Sequence, residues 1–293
     1  MTVMVTGASG VVGDAVVRAL VERDEVRATV RRPETAEALR AIGAKVAVRP
    51  IERADDLAEI LPRVHTIVHL IGGPNQLDDD AVLAANHDSA VAAVAAASEA
   101  GVRRFVLVSV PGADVASDDP FLRGKGLAEE VVASSGLEHA IVRLAPVYGV
   151  GGLWFTAVVQ GALADPPLVA GDPERLVAPV FADDVGALVA VLDDHTSALA
   201  GTWALEGPEM VPLRELVHVL RDDERSPTAI DDPADAARRL TALLEVPIST
   251  VAAAWIGSAG RADGDPDAAE AFGVARTGLL EGLRATLARA GEG

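Results

Sequence analysis

The residues best suited to chemistry stand at the start of the chain, in Val3-Met4-Val5-Thr6-Gly7-Ala8-Ser9-Gly10-Val11-Val12-Gly13. A short apolar run that breaks into spaced glycines and resumes as an apolar-periodic segment reads as strand, tight turn and helix. In that setting Gly7 permits the turn, Gly10 lets a pyrophosphate approach the backbone, and Gly13 lets helix and strand pack closely. A dinucleotide phosphate would sit along Ala8, Ser9, Val11 and Val12, where unpaired amides and the helix dipole favour negative charge. Such glycines also close ordinary βα turns, but a strand before them and a helix after them favour a cofactor. The second chemical signal is Arg31-Arg32, at the end of the next apolar segment. NAD-selective folds carry an acidic residue there for the ribose 2′-hydroxyl. A guanidinium would instead bind a 2′-phosphate with paired, charge-assisted hydrogen bonds, so NADP is favoured over NAD. The alternative for both arginines is a pair of solvated loop charges.

These residues need a scaffold, and the hydrophobic pattern supplies one. Helical periodicity over 34–42, a strand at 44–49, a helix at 55–61 and a buried strand at 66–71 running into Gly72-Gly73-Pro74 continue the alternation. A long Ala/Val helix over 80–100 has its natural cap at Gly101, followed by a strand at 103–109, a helix at 120–135 and a strand at 138–144. Repeated units of this kind predict an α/β fold, a doubly wound parallel sheet of Rossmann type with ligands at the carboxyl ends of its strands. From about Pro146 the alternation fails, which divides the chain into a dinucleotide-binding domain at 1–146 and a smaller, mainly helical substrate-side region at 147–293, with some elements packing back on the sheet. In that region the pattern gives a helix at 153–163, a strand at 177–181, a helix at 183–192, a strand at 202–205 and a helix at 212–220. A charged surface connection at 222–236, a loop at 263–267 and a final helix near 276–289 complete it.

Composition narrows the class. The 293 residues are 50% hydrophobic, ample for a packed core, and the net charge of −19 argues against nucleic acid or an anionic membrane as partner. With no cysteine, disulfides, thiolate catalysis and Cys-ligated metals are excluded. The chain enters a strand at once and has no apolar run of membrane-spanning length, so a cytoplasmic protein is expected. The Ala- and Arg-rich, Lys-poor usage is that of a high-GC bacterial genome. Homo-oligomerisation stays open.

Taken together, the motifs resemble the short-chain dehydrogenase/reductase superfamily in its extended or atypical branch, near the NmrA-like and complex I accessory-subunit-like proteins. The matching pieces are Thr6–Gly13, Val68-His69-Leu70-Ile71-Gly72, Asn86, Ala100–Ser109 and Arg143-Leu144-Ala145-Pro146-Val147-Tyr148-Gly149. Pro179–Val185 and Ala204–Glu209 match the branch's substrate-side region. The resemblance implies that Leu70, Ile71 and Gly72 line the cofactor, that Asn86 braces the active-site strand, and that Lys125 holds the nicotinamide ribose hydroxyls. It also exposes a departure. The family's catalytic tyrosine is separated from that lysine by three residues, and here Phe121 occupies the place, which cannot carry a proton. The helping serine is Ser109, although the family's spacing puts the hydroxyl nearer Pro111. The single tyrosine, Tyr148, lies in the turn after the sixth strand, either as packing at the domain junction or as a relocated acid.

Other candidates have simpler explanations. Asp183 and Asp184 read as helix-start caps, and His65 and His69 flank a strand rather than a helix, so no metal site is expected. His87 is the one histidine placed to reach the pocket. Gly72, Gly73, Pro111, Phe121, Tyr148 and Leu153-Trp154-Phe155 would line an apolar or aromatic substrate site, with Trp154 and Phe155 equally readable as core. The expected function is an NADP-dependent oxidoreductase, a reductase or tailoring enzyme for a small apolar or conjugated substrate, working without the usual Tyr acid. The alternatives are a non-catalytic NADP(H)-binding regulator or assembly factor, or a non-redox isomerase or cyclase that keeps the cofactor pocket.

Overall fold

The apolar run after Met1 forms β1 (Thr2–Thr6), buried from Val3 onward, and the glycine turn leads into α1 (Val11–Val21). The computed structural model describes residues 1–260 and 264–291; Asp263, at the head of the loop expected over 263–267, lies outside them. In chain order follow β2 (Glu25–Val30), α2 (Pro33–Ala41), β3 (Lys45–Val48), the single turn α3 (Asp55–Ala58), β4 (Thr66–His69), α4 (Asp79–Leu83), α5 (Ser89–Ala100), β5 (Arg104–Ser109), α6 (Pro120–Ala133) and β6 (Glu138–Leu144). The second half holds β7 (Val147–Tyr148), α7 (Leu153–Leu163), β8 (Leu168–Ala170), β9 (Leu176–Val177), β10 (Val180–Phe181), α8 (Ala182–Asp194), β11 (Ala200–Leu205) and β12 (Val211–Pro212). It continues with α9 (Leu213–Arg221), β13 (Thr228–Ile230), α10 (Pro233–Leu244), α11 (Thr250–Ser258), α12 (Ala268–Phe272) and α13 (Leu279–Ala290).

Seven strands form one parallel sheet in the order β11-β6-β5-β4-β1-β2-β3, the Rossmann-type architecture expected. The order reverses between β1 and β4, which opens a crevice beyond their carboxyl ends. Alternation along β1 sends Val3 and Val5 to the face covered by α1 and α8, while Met4 joins Ile67, Phe105, Ala93 and Val132 on the other. A separate cluster built on Trp154, Phe155, Leu216, Leu240 and Ile256 forms the core of the C-terminal helices. The outer strand β11 is covered in turn: the Ala204 amide donates to the Pro266 carbonyl at 2.9 Å, and Trp203 packs edge-on against Phe272.

Several segments depart from the sequence pattern. The helix expected over 80–100 is broken by a π-helical turn at Ala84–Asp88, where one extra residue turns Asn86 inward. The strand expected over 177–181 divides into β9 and β10, pairing with different partners, β12 and β7. The segment 222–236 is no mere connection: β13 pairs in parallel with β8, and α10 starts at Pro233. Asp183 and Asp184 sit in the first turn of α8, but neither caps it. Asp183 pairs with Arg289 in the last turn of α13, and Asp184 accepts from the amide and hydroxyl of Thr277 just before that helix, so the two tie α13 to the start of α8. Burial pushes the Asp184 carboxyl up despite the Thr277 donors.

Arg104, at the start of β5, is 0% exposed and holds the end of α8. Its guanidinium donates to the carbonyls of Leu192, Asp193 and His195 and to the Glu138 carboxylate, at 2.6–2.9 Å. A helix end leaves such carbonyls without partners, and here a cation supplies them. Arg104→Met should therefore lower unfolding free energy by on the order of 3 kcal/mol, measured by denaturant titration, because buried carbonyls lose their donors.

Candidate functional site

A cavity of about 610 Å³ lies in the crevice, bounded by Gly7, Ser9 and Gly10, by the ends of β2 and β3, by Leu70-Ile71-Gly72 and by the π-helical turn. The three opening glycines differ as the sequence suggests. Gly7 has φ +75°, and a Cβ there would stand 2.9 Å from the Ile71 amide. A Cβ on Gly13 would stand 2.5 Å from the Ala8 carbonyl, so only glycine lets α1 approach β1 this closely. At Gly10 a Cβ would meet nothing within 4 Å, because the position faces the cavity. Gly10 is also the N-cap of α1 and no side chain caps the helix, which leaves amides at that end for an anion. Ala8 does not join them: it is buried and its amide donates to the Thr29 carbonyl at 3.1 Å. Val11 and Val12 are half-buried in the first turn of α1, outside the cavity wall.

Of the two arginines after β2, Arg31 lines the cavity and Arg32 does not. Arg32 is the exposed residue before α2, and its carbonyl accepts from the Thr35 hydroxyl. The second arginine of the cavity is Arg49, which the sequence reading passed over. Its amide donates to the Val30 carbonyl at 2.9 Å, placing it beside Arg31, and its guanidinium donates to the Asp56 carbonyl and to Glu59. The available signal was positional, since adjacent parallel strands present their last residues side by side.

Behind the cavity wall at Gly72 the structure brings Asn86 and Lys125 together, both buried and neither lining the cavity itself. Asn86 is buried; its Oδ1 accepts from the Gly73 amide at 3.0 Å, and its Nδ2 donates to the carbonyls of Gly73 and Val82. It thereby clamps the chain leaving β4. A Cβ on Gly72, at φ +125°, would stand 2.3 Å from Asn86 Oδ1 and 3.0 Å from Lys125 Nζ. Lys125 is 5% exposed, its ammonium donates to the Val108 carbonyl at 3.1 Å, and burial pulls its pKa down to about 8, opposed by Glu129. These residues fit a nicotinamide dinucleotide: the α1 N-terminus and Arg31 would hold its phosphates, and Lys125 the nicotinamide ribose.

The other catalytic candidates are engaged elsewhere. Ser109 donates to Glu129 at 2.5 Å, and Glu129 also takes two bonds from Arg143, so the hydroxyl belongs to a buried ion network outside the cavity wall. Phe121 is buried and meets Trp255 of α11 edge-on, 5.9 Å between centroids. Tyr148 is 1% exposed, packed between Phe155 and Phe181, and its hydroxyl abuts Gly282 with no hydrogen-bond partner. Burial and nearby carboxylates raise its pKa, so packing is its role here. His87 bonds to Asp88, and it is Asp88 that lines the cavity. His69, buried between Thr6 and Ser89, is held neutral by burial, its pKa lowered to about 3. Of the substrate-lining residues expected, Gly72 alone borders the cavity; Trp154 and Phe155 are core. The chain after β4 is instead bridged to the segment before α11 by contacts the sequence did not suggest. Asn75 donates to the Pro247 carbonyl and accepts from the Ser249 amide, and the Ser249 hydroxyl donates to the Pro74 carbonyl.

This fold and site define a nicotinamide dinucleotide-binding Rossmann protein. Residues 7–148, just under half of the chain, match the NAD(P)H-binding family model, and the resemblance to atypical short-chain dehydrogenase/reductase proteins holds. It is 30% identical over 174 residues to the mitochondrial NADH dehydrogenase [ubiquinone] 1 alpha subcomplex subunit 9 of Arabidopsis thaliana, covering 57% of this chain and 42% of that one. The chain thus spans less than half the length of that relative. A (4-alkanoyl-5-oxo-2,5-dihydrofuran-3-yl)methyl phosphate reductase of Streptomyces griseus is 28% identical over 88% of this chain and 86% of its own. Among solved structures, a dTDP-glucose 4,6-dehydratase of Streptomyces venezuelae with NAD bound superposes with a TM-score of 0.75 at 20% identity, covering 98% and 95% of the two chains, a likeness of fold. Among the described residues no helix is long and apolar enough to cross a membrane.

The glycine geometry makes a paired prediction. Gly10→Val should fold normally, by circular dichroism and thermal melting, yet lose dinucleotide binding in a titration. Gly13→Val should fail to reach the native fold, because its methyls would overlap the Ala8 backbone.

Proposed function

We propose that the protein is an NADP(H)-dependent reductase of a small substrate with a conjugated acceptor, such as an enone, quinone or iminium-like group. The observation that carries the cofactor preference is Arg31 in the cavity wall at the end of β2, where an NAD-selective site would place an acidic residue, with Arg49 beside it. Bound there, the cofactor supplies a hydride. The chain's own residues do the rest. The α1 amides and arginines hold phosphate, Asn86 fixes the Gly73 backbone, and Lys125 orients ribose hydroxyls while retaining a proton near neutral pH. The bridge from Pro74-Asn75 to Pro247 and Ser249 ties the chain leaving β4 to the C-terminal helices.

The conjugated acceptor follows from what these residues lack. Ser109 is held by Glu129, Phe121 has no hydroxyl, and Tyr148 lies in the core, so none of the three positions expected to supply the acid lines the cavity. Positioned proton transfer is worth roughly 10²–10⁴-fold, and a substrate that delocalises negative charge needs it least. Similarity to a reductase along 86% of that enzyme's length supports redox chemistry. Similarity to a subunit of a larger dehydrogenase favours a second reading, a non-catalytic NADP(H)-binding component. NADPH oxidation against a panel of enones, quinones and imines separates the two: turnover with any class supports the reductase, and tight NADPH binding without turnover supports the component.

Two measurements test the parts. In calorimetry NADPH should bind more tightly than NADH, and Arg31→Ala should cost about 1.5–3 kcal/mol for NADPH, about ten- to a hundredfold in Kd, with little change for NADH. Because Lys125 is charged below a pKa of about 8, kcat/KM should fall as pH rises through that value. Lys125→Met should lower the activity and flatten that limb of the profile.

A further inference from the structure

At the amino ends of the strands, opposite the cofactor cavity, carboxylate oxygens of Asp24, Asp193 and Asp194 lie within 4.8 Å of one another. Asp193 is 2% exposed, and neither of its carboxylate oxygens has a hydrogen-bond partner. Its neighbours are committed elsewhere. The Met1 amine pairs with Asp24 and Arg23 pairs with Asp194. Arg104 donates to the main-chain carbonyl of Asp193, and His65 Nδ1, 3.9 Å from Asp193 Oδ1, is bonded to the Thr66 hydroxyl. The most buried of the three carboxylates is thus the one left without a hydrogen-bond donor, with the Arg104 guanidinium turned to the main chain and the His65 ring at 3.9 Å. Asp193 and Asp194 also end α8, where the helix dipole disfavours negative charge and favours a cation.

We propose that Asp24, Asp193 and Asp194 form a binding site for a divalent cation of calcium's size, tying the end of α8 to the start of β2. Oxygen-only ligands select hard cations. Ca²⁺ accepts irregular sets of carboxylate oxygens, whereas Mg²⁺ demands near-ideal octahedral geometry and gives up its waters reluctantly, which disfavours it where one carboxylate, Asp193, is buried. Asp194, with 43% of its side chain exposed, opens the site to solvent and leaves positions for water.

The test uses the full chain, stripped with EDTA and desalted, titrated with CaCl₂ and with MgCl₂ by calorimetry and followed by thermal melting. Calcium should bind at one site per chain and raise Tm by several degrees at saturation, with magnesium weaker. Asp193→Asn should abolish the response. Should that variant not fold, Asp194→Asn decides: it changes an exposed residue far from the cofactor, and it should weaken calcium binding at least tenfold with NADPH affinity unchanged. Absence of heat and of any Tm shift up to millimolar calcium would overturn the proposal, as would equal calcium affinity in wild type and Asp194→Asn.

Discussion

The approach of α1 to the turn before it governs the carboxyl edge of the sheet. At Gly13 the helix meets the Ala8 backbone with no room for a Cβ, and on its other side Gly186 of α8 meets the Ala15 carbonyl just as closely. The helix is wedged between the turn and α8, so its N-terminus is aimed by backbone contact rather than by side chains that could repack. The open amides at Gly10 follow from that placement. So does the position of Val11, whose methyls lie where a Cβ on Gly149 would have to go, linking the phosphate end of the site to the turn that starts the C-terminal region.

The opposite end of the cavity depends on Asn86. A regular helix through 84–88 would turn this residue differently; the π-helical turn sends its amide to both polar groups of Gly73. That pins the chain beside Lys125, whose ammonium then has one carbonyl, that of Val108, and little water. Desolvation lowers its pKa, so this buried lysine is a group able to exchange a proton near neutral pH.

The sequence was most legible where local pattern and backbone sterics coincide. Strands β1 to β6, the glycine turn and the position of Arg31 at the cavity could be read because each follows from periodicity or from a short-range rule. Asn86 could be named only through resemblance, since nothing in Ala84-Ala85-Asn86-His87-Asp88 announces an extra residue in the turn. Arg49, Asn75, Ser249 and Trp255 were missed because their roles depend on elements distant in sequence: Arg49 on the register of β3 against β2, the others on how α11 meets α6 and the chain after β4. Whether Ser109 and Tyr148 were free for chemistry or already engaged was hidden for the same reason. Their partners, Glu129 and Arg143 in one case and Phe155, Phe181 and Gly282 in the other, converge only in the folded chain.

The covering of β11 has a consequence for how copies of this chain can meet. A parallel sheet ordinarily ends in an open row of amides and carbonyls that a neighbouring strand could join. Here the Ala204 amide is occupied by Pro266, Asp267 bridges alongside it, and Trp203 is shielded by Phe272, while the far edge is the four-residue β3, flanked by Lys45 and Arg49. One border is thus interrupted near its carboxyl end, and the other is only four residues long. Self-association that preserves the fold is thereby steered away from a continuous intermolecular sheet and toward helix faces, where contacts can be broken without unzipping the core.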